Sequence, residues 1–127
     1  MKAPTREWVE KAEADYAAAL LVRRSRKKHG RDIVCFHLQQ CVEKYLKARL
    51  EEAAIAFPKT HDLEKLLALA IAVEPMWAAL RPAMATLTDF AVEVRYPGRS
   101  ASPAETRGLL NSAAQIRDLI RQRLGLR

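Results

Sequence analysis

No stretch of this chain approaches the roughly 18 consecutive apolar residues that a membrane-crossing helix needs. Its start, MKAPTREW, has no signal-peptide core. A soluble, cytoplasmic protein with no membrane partner is expected. Glycine is scarce, with four in 127 residues, and none sits in a glycine-rich phosphate loop. There is no alternating strand pattern, internal repeat or low-complexity linker. Cysteine is limited to Cys35 and Cys41, six residues apart on one helical stretch. At about 1.5 Å rise per residue their Cα atoms lie roughly 9 Å apart, beyond disulfide reach. Two buried core thiols are expected. With no second cysteine pair and three scattered histidines, neither a metal site nor a cofactor is expected.

What is present is helical. Half the residues are apolar, and Ala, Leu, Arg and Glu dominate. A length of 127 residues suits one domain, 1–127. The formal charge of +7 points to an anionic partner, nucleotide or nucleic acid being the usual one, against the plainer reading of solubility charge on an arginine-rich chain.

The stretch from Asp32 to Leu50 organises the rest. It contains no Gly or Pro and opens on a residue that can cap a helix. Wound at about 100° per residue, Ala48, Cys41, Val34, Tyr45, Leu38, Val42, Cys35 and Leu46 sweep an apolar arc of roughly 160°, broken only by Arg49. An arc that wide implies a central helix with neighbours on at least two sides. The opposite face holds Glu43, Lys47, Gln40, Lys44 and His37, with Ile33 and Phe36 among them. Two large apolar groups on a polar face imply that this face too is partly covered.

A first helix is expected from about Thr5 to Lys28, with Asp15 inside the stripe Trp8, Ala12, Ala19 and Val22. Asp15 is either solvated at the stripe's edge or buried against a cation, for which Lys44, Lys47 and Arg95 are candidates. The basic run Arg23 to Arg31 carries six cations and no acid. Part of it complements the helix dipole, with Gly30 as the stop, and the remainder suits a phosphate-facing patch. After Pro58, Thr60 is expected to cap a short helix from His61 to Val73. A turn over Met76 to Arg81 and a helix from Pro82 to Arg95 follow, ended by Tyr96-Pro97-Gly98. Ser102-Pro103-Ala104-Glu105 is a capping box that opens the last helix, with Leu109, Ala113, Ile116, Ile120 and Leu124 on one face. The expected fold is therefore all-α, an up-and-down antiparallel bundle of about five helices.

Phe36-His37-x-Gln39-Gln40-x-x-Glu43-Lys44-x-x-Lys47-Ala48 resembles the second-helix signature of HEPN domains, small all-α proteins named for nucleotide binding in higher eukaryotes and prokaryotes. Ala12-x-x-Asp15, Pro58-x-Thr60-His61-Asp62-Leu63 and Arg95-Tyr96-Pro97 agree with it, in the right order over nearly the whole chain. The resemblance implies a homodimer that works beside a separate minimal nucleotidyltransferase, in the manner of a toxin–antitoxin pair. Some members are metal-independent ribonucleases, with an Arg followed four to six residues later by His. Here Arg95 fits the arginine, but Ser100, Ala101 and Ser102 occupy the histidine's positions.

The expected function is a non-catalytic subunit that holds a nucleotide, or another phosphate-bearing substrate such as RNA, for its partner. Arg95, Arg99, Lys44 and Lys47 would take phosphate oxygens, His37 and Gln40 would bond a base or sugar, and Tyr96 would stack. Asp15 and Glu43 would form a structural polar network. The alternative is a ribonuclease toxin in which a displaced histidine, His37 or His61, works with Arg95.

Overall fold

The apolar arc of the central stretch sets the architecture. In the computed structural model, which describes all 127 residues, the elements are α1 (Ala3–Arg24), α2 (Gly30–Glu52), α3 (Leu63–Ala70), a 3-10 turn (Pro75–Leu80), α4 (Arg81–Glu93) and α5 (Pro103–Arg123). The fold is all-α. Helix α2 packs against each of the other four α-helices, most extensively against α1. Each of the eight arc residues, Val34, Cys35, Leu38, Cys41, Val42, Tyr45, Leu46 and Ala48, is at most 1% exposed, and they anchor one continuous hydrophobic core. Arg49, which breaks the arc, is half-buried and pairs with Glu74 at 2.8 Å. Burial pushes the Cys35 thiol up to about 11 and the Cys41 thiol higher still, and both cysteines are free. No helix is long and apolar enough to cross a membrane.

The last helix forms where the capping box places it. Glu105 N–H donates to Ser102 Oγ at 3.1 Å, and Ser102 N–H donates to Glu105 Oε1 at 2.9 Å. Elsewhere the boundaries move. Helix α1 ends at Arg24 rather than Lys28, because Ser25 Oγ donates back to the Val22 carbonyl at 2.7 Å and Arg26 turns left-handed at φ 55°. Gly30 does not stop α1; it opens α2. A Cβ there would lie 3.0 Å from Val22 Cγ1, so glycine is what lets the two helices close on each other. Asp62, not Thr60, caps α3, since its carboxylate accepts from both Glu64 and Lys65 N–H while Thr60 Oγ1 is taken by the Asp62 N–H.

Two arginine–carboxylate clasps tie α5 to the bundle. Arg117 holds Glu13 of α1 through two bonds, at 2.7 and 2.6 Å, and Tyr45 donates its hydroxyl to the same carboxylate. Glu74 accepts from Arg49 and Arg123. The Arg117 bond, opposed by burial, holds the Glu13 carboxyl below its usual 4.5. Burial pushes Glu74 up, but its two arginines outweigh that and bring it below the same value. The folded state therefore binds fewer protons at these groups than the unfolded chain does. Their contribution is fully present above about pH 4.5 and is lost as pH falls through the depressed folded values. Urea melts at several pH values check this. The double variant Glu13→Gln/Glu74→Gln should be less stable at neutral pH and should lose stability less steeply than wild type below pH 4.5.

Candidate functional site

The polar face of α2 is covered more thoroughly than its apolar members are. Glu43 is 2% exposed, while Ile33 and Phe36 are 47% and 39% exposed. Two carboxylates organise that face. Asp15, buried on α1, accepts from His37 Nδ1 at 2.8 Å and from Lys44 Nζ. Glu43 accepts from Lys47 Nζ at 3.0 Å and His61 Nδ1 at 2.9 Å. Gln40 Nε2 lies 3.5 Å from Glu43 and donates to Gln39 at 2.8 Å, and Gln39 in turn donates to the His61 carbonyl at 3.1 Å. A carboxylate only accepts, so each histidine carries its proton on Nδ1.

Four of the expected phosphate- or base-binding residues, His37, Gln40, Lys44 and Lys47, are thus brought together, but onto carboxylates. Lys47 is the most committed, with its side chain 7% exposed and its ammonium 5.3 Å from the Trp8 ring centre. A cation held in this way has little attraction left for phosphate. Arg99 is also engaged. It bonds Glu93 at 3.2 Å, Glu105 at 3.1 Å and the Ser100 carbonyl at 2.8 Å, and lies over the Phe90 ring. Its bond holds the Glu105 carboxyl down at about 2. Arg99 pins α4 to α5, so it does not stand as a second free cation beside Arg95.

Arg95 stands apart. It follows the end of α4, is exposed, and makes no ion pair. Its guanidinium carbon lies 5.9 Å from the centre of the Phe36 ring. With Asp32, Ile33 and Phe36 it lines a shallow depression of about 230 Å³, and Tyr96 beside it is 65% exposed. Such a corner offers a forked cation and aromatic surface, which suits an anion carrying a planar group.

The histidine question has a structural answer at two of the three positions. Ala101 is buried, its N–H donating to Asp32 at 2.9 Å and its carbonyl accepting from Arg31 at 2.7 Å. Ser102 is spent as the cap of α5. The His37 ring centre lies 5.3 Å from that of Phe36, so His37 and Arg95 share one phenyl neighbour with no bond between them. His61 belongs to the Glu43 cluster instead. Sequence reasoning missed Gln39 and His61 as members of that cluster and Phe36 as the platform under Arg95. The usable signal was the Pro58-to-Leu63 motif, which brings His61 to Glu43.

Removing Glu43 would leave the Lys47 ammonium buried and unpaired. Glu43→Ala should therefore cost about 3–5 kcal/mol, whereas Asp118→Ala, which loses an exposed partner of Arg117, should cost under about 1 kcal/mol. Urea denaturation measures both. A loss below about 1 kcal/mol for Glu43→Ala would show the pair to be solvated in practice.

No curated protein and no solved structure matches the chain. A family model described as HEPN domain matches residues 5–123, a span that takes in all of the polar face, Arg95 and the capping box. On that match, together with the helical bundle it covers, the chain belongs to the HEPN domain family.

Proposed function

We propose that this HEPN protein is a non-catalytic subunit that binds a nucleotide or another phosphate-bearing substrate for a separate minimal nucleotidyltransferase, as one half of a toxin–antitoxin-like pair. The observation that carries the reading is Arg95. Among the residues expected at the site it is the cation with no carboxylate partner, its guanidinium lies over the Phe36 ring, and the next residue, Tyr96, is exposed. Phosphate oxygens would take its two-pronged guanidinium, and a base would stack on the exposed Tyr96. Asp32, the acid that lines the same depression, accepts from the Ala101 N–H and makes no ion pair with Arg95. Ser100, Ala101 and Ser102 hold the places of the family's histidine, and two of the three serve the loop and the α5 cap.

A ribonuclease reading has one observation in its favour, the shared contact of His37 and Arg95 with Phe36. Nδ1 of His37 is bound to Asp15, which leaves Nε2 as the nitrogen for proton transfer.

Calorimetric titration with ATP, and then with a short RNA, separates the two. Arg95→Ala should weaken ATP binding by about 1.5–3 kcal/mol, the size of a hydrogen bond to a charged group. Its melting should barely change, because the guanidinium neutralises no acid. Equal affinities for the two proteins would reduce Arg95 to a surface residue. RNA cleavage by wild type that is lost in Arg95→Ala would establish the nuclease.

The protein also pairs with itself in this reading. Ile33 and Phe36 of α2 and Val92 of α4 are large apolar groups left exposed at 47%, 39% and 47%. A symmetric contact would cover them and set two Arg95 corners near one axis. Light scattering at micromolar concentration should give about twice the 14.3 kDa chain mass. Ile33→Glu should return it to the mass of one chain.

A further inference from the structure

A second basic feature lies on the other side of the α2 start from the Arg95 corner. The end of α1, the turn to α2 and the first turns of α5 enclose a cleft of about 500 Å³. Arg23, Arg24, Arg26, Lys27, Arg31 and Arg107 line it, and no carboxylate does. None of the six is ion-paired, and only Arg31 makes a side-chain hydrogen bond, to the Ala101 carbonyl. These six cations nearly equal the whole chain's net charge of +7. The negative end of α1 offsets about half a charge, which is too little to account for them. Six cations around one cleft with no carboxylate among them carry a cost in self-repulsion that an external anion relieves.

The lining also says which kind of anion. It holds no aromatic ring on which a base could stack, and its one neutral polar side chain, Thr106, is buried and donates to the Ser102 carbonyl. Every charged group in it is a donor, suited to several phosphates and indifferent to the bases they carry. Aromatic surface lies next door. Arg31 lines the cleft, its neighbour Asp32 lines the Arg95 depression, and both bind the backbone of Ala101 between the two. A strand leaving the cleft over this ridge reaches Arg95 and, next in the chain, the exposed ring of Tyr96.

We propose that the cleft between the α1–α2 turn and α5 binds the phosphodiester backbone of a single-stranded nucleic acid without sequence preference. The phosphate binding itself does not rest on the proposed role of Arg95. The same charges would attract inorganic polyphosphate, and the stacking surface beyond the ridge is what favours a nucleic acid.

Fluorescence anisotropy with a labelled 12-nucleotide oligouridine RNA tests this. The triple variant Arg24→Ala/Lys27→Ala/Arg107→Ala removes exposed cations that bond nothing, and its circular-dichroism melt should match wild type. RNA affinity should fall at least tenfold at moderate salt. The slope of log affinity against log salt should flatten by about 2, since each single-strand phosphate contact contributes about 0.7. Arg95→Ala should flatten it by no more than about 0.7, so failure of this proposal and failure of the Arg95 site are distinguishable. A second variant guards against misfolding. Arg26 has φ 55°, so Arg26→Gly removes a cation while easing the backbone, and it should weaken RNA binding about threefold with no loss of stability. The matching deoxyuridine oligomer should bind within about threefold of the RNA, because Thr106, the cleft's one neutral polar side chain, is buried and already bonded to the Ser102 carbonyl. Unchanged affinity and slope in the triple variant would overturn the proposal. So would ATP displacing the RNA at equal phosphate concentration, which would mark a site for a small anion. Polyphosphate binding more than tenfold tighter than the RNA would reassign the cleft to that polymer.

Discussion

A carboxylate drawn wholly or partly out of water must be met by donors, and four such groups fix how the bundle closes around α2. Asp15 and Glu13 project from α1, Glu43 from α2 itself, and Glu74 from the segment ahead of the 3-10 turn. Each is matched by cations or hydrogen-bond donors from another element: His37 and Lys44, Arg117 and Tyr45, His61, and Arg49 with Arg123. Apolar burial would tolerate several rotations of α1 about α2, since both present long stripes. The paired charges do not, because a slip of one residue would strand a buried carboxylate at a cost of several kcal/mol. Hydrophobic area supplies most of the stabilisation, and the charge pairs select the register.

That constraint also sorts the cations. Lys44, Lys47, Arg49, Arg99, Arg117 and Arg121 are drawn to acids within the fold. Six of the cations left unmatched line the cleft where the α1–α2 turn meets the start of α5, and Arg95 stands at the nearby end of α4. The family signature on α2 therefore has two physical meanings. Its Glu43, Lys44 and Lys47 tie α2 to His61, Asp15 and Trp8, and its Phe36 faces the end that is free to bind.

Elements set by local chemistry were legible in the sequence. The α2 arc and the Ser102–Glu105 capping box need only residues a few positions apart, and both formed as read. Gly30 was misread because a glycine after a basic run stops many helices, whereas here its use is the close approach to Val22, eight residues earlier on another helix. Thr60 lost the cap to Asp62, since an ionised oxygen competes better for N–H groups at the positive end of a helix. At the site, Arg95 could be picked out as a cation held by a helix end and a Pro-Gly turn. That Lys44 would reach Asp15, 29 positions earlier, could be entertained but not chosen over Lys47 or Arg95. Spacing along one helix gives a side chain's direction, not its partner. The same limit hid the cleft. The run Arg23 to Arg31 was visible, but Arg107 joins it only through the packing of α5.

The exposed apolar strip and the free arginine are not independent features. Phe36 belongs to both, exposed at 39% and lying under the Arg95 guanidinium. In a homodimer built on Ile33 and Phe36, two guanidinium groups would approach a common axis in surroundings made drier by the contact. Two like charges at about 10 Å and an effective dielectric of about 20 repel by about 1.7 kcal/mol. An anion on either arginine relieves that repulsion, so ligand binding and association would strengthen each other by the same factor. A monomer meets its ligand with Arg95 already stacked on Phe36 and little reorganisation to undergo. A dimer would meet it with an unfavourable charge pair waiting to be neutralised, which raises affinity for phosphate and leaves that for a neutral nucleoside unchanged. Selectivity at this corner would then come from the pairing of two copies rather than from any donor added to one of them.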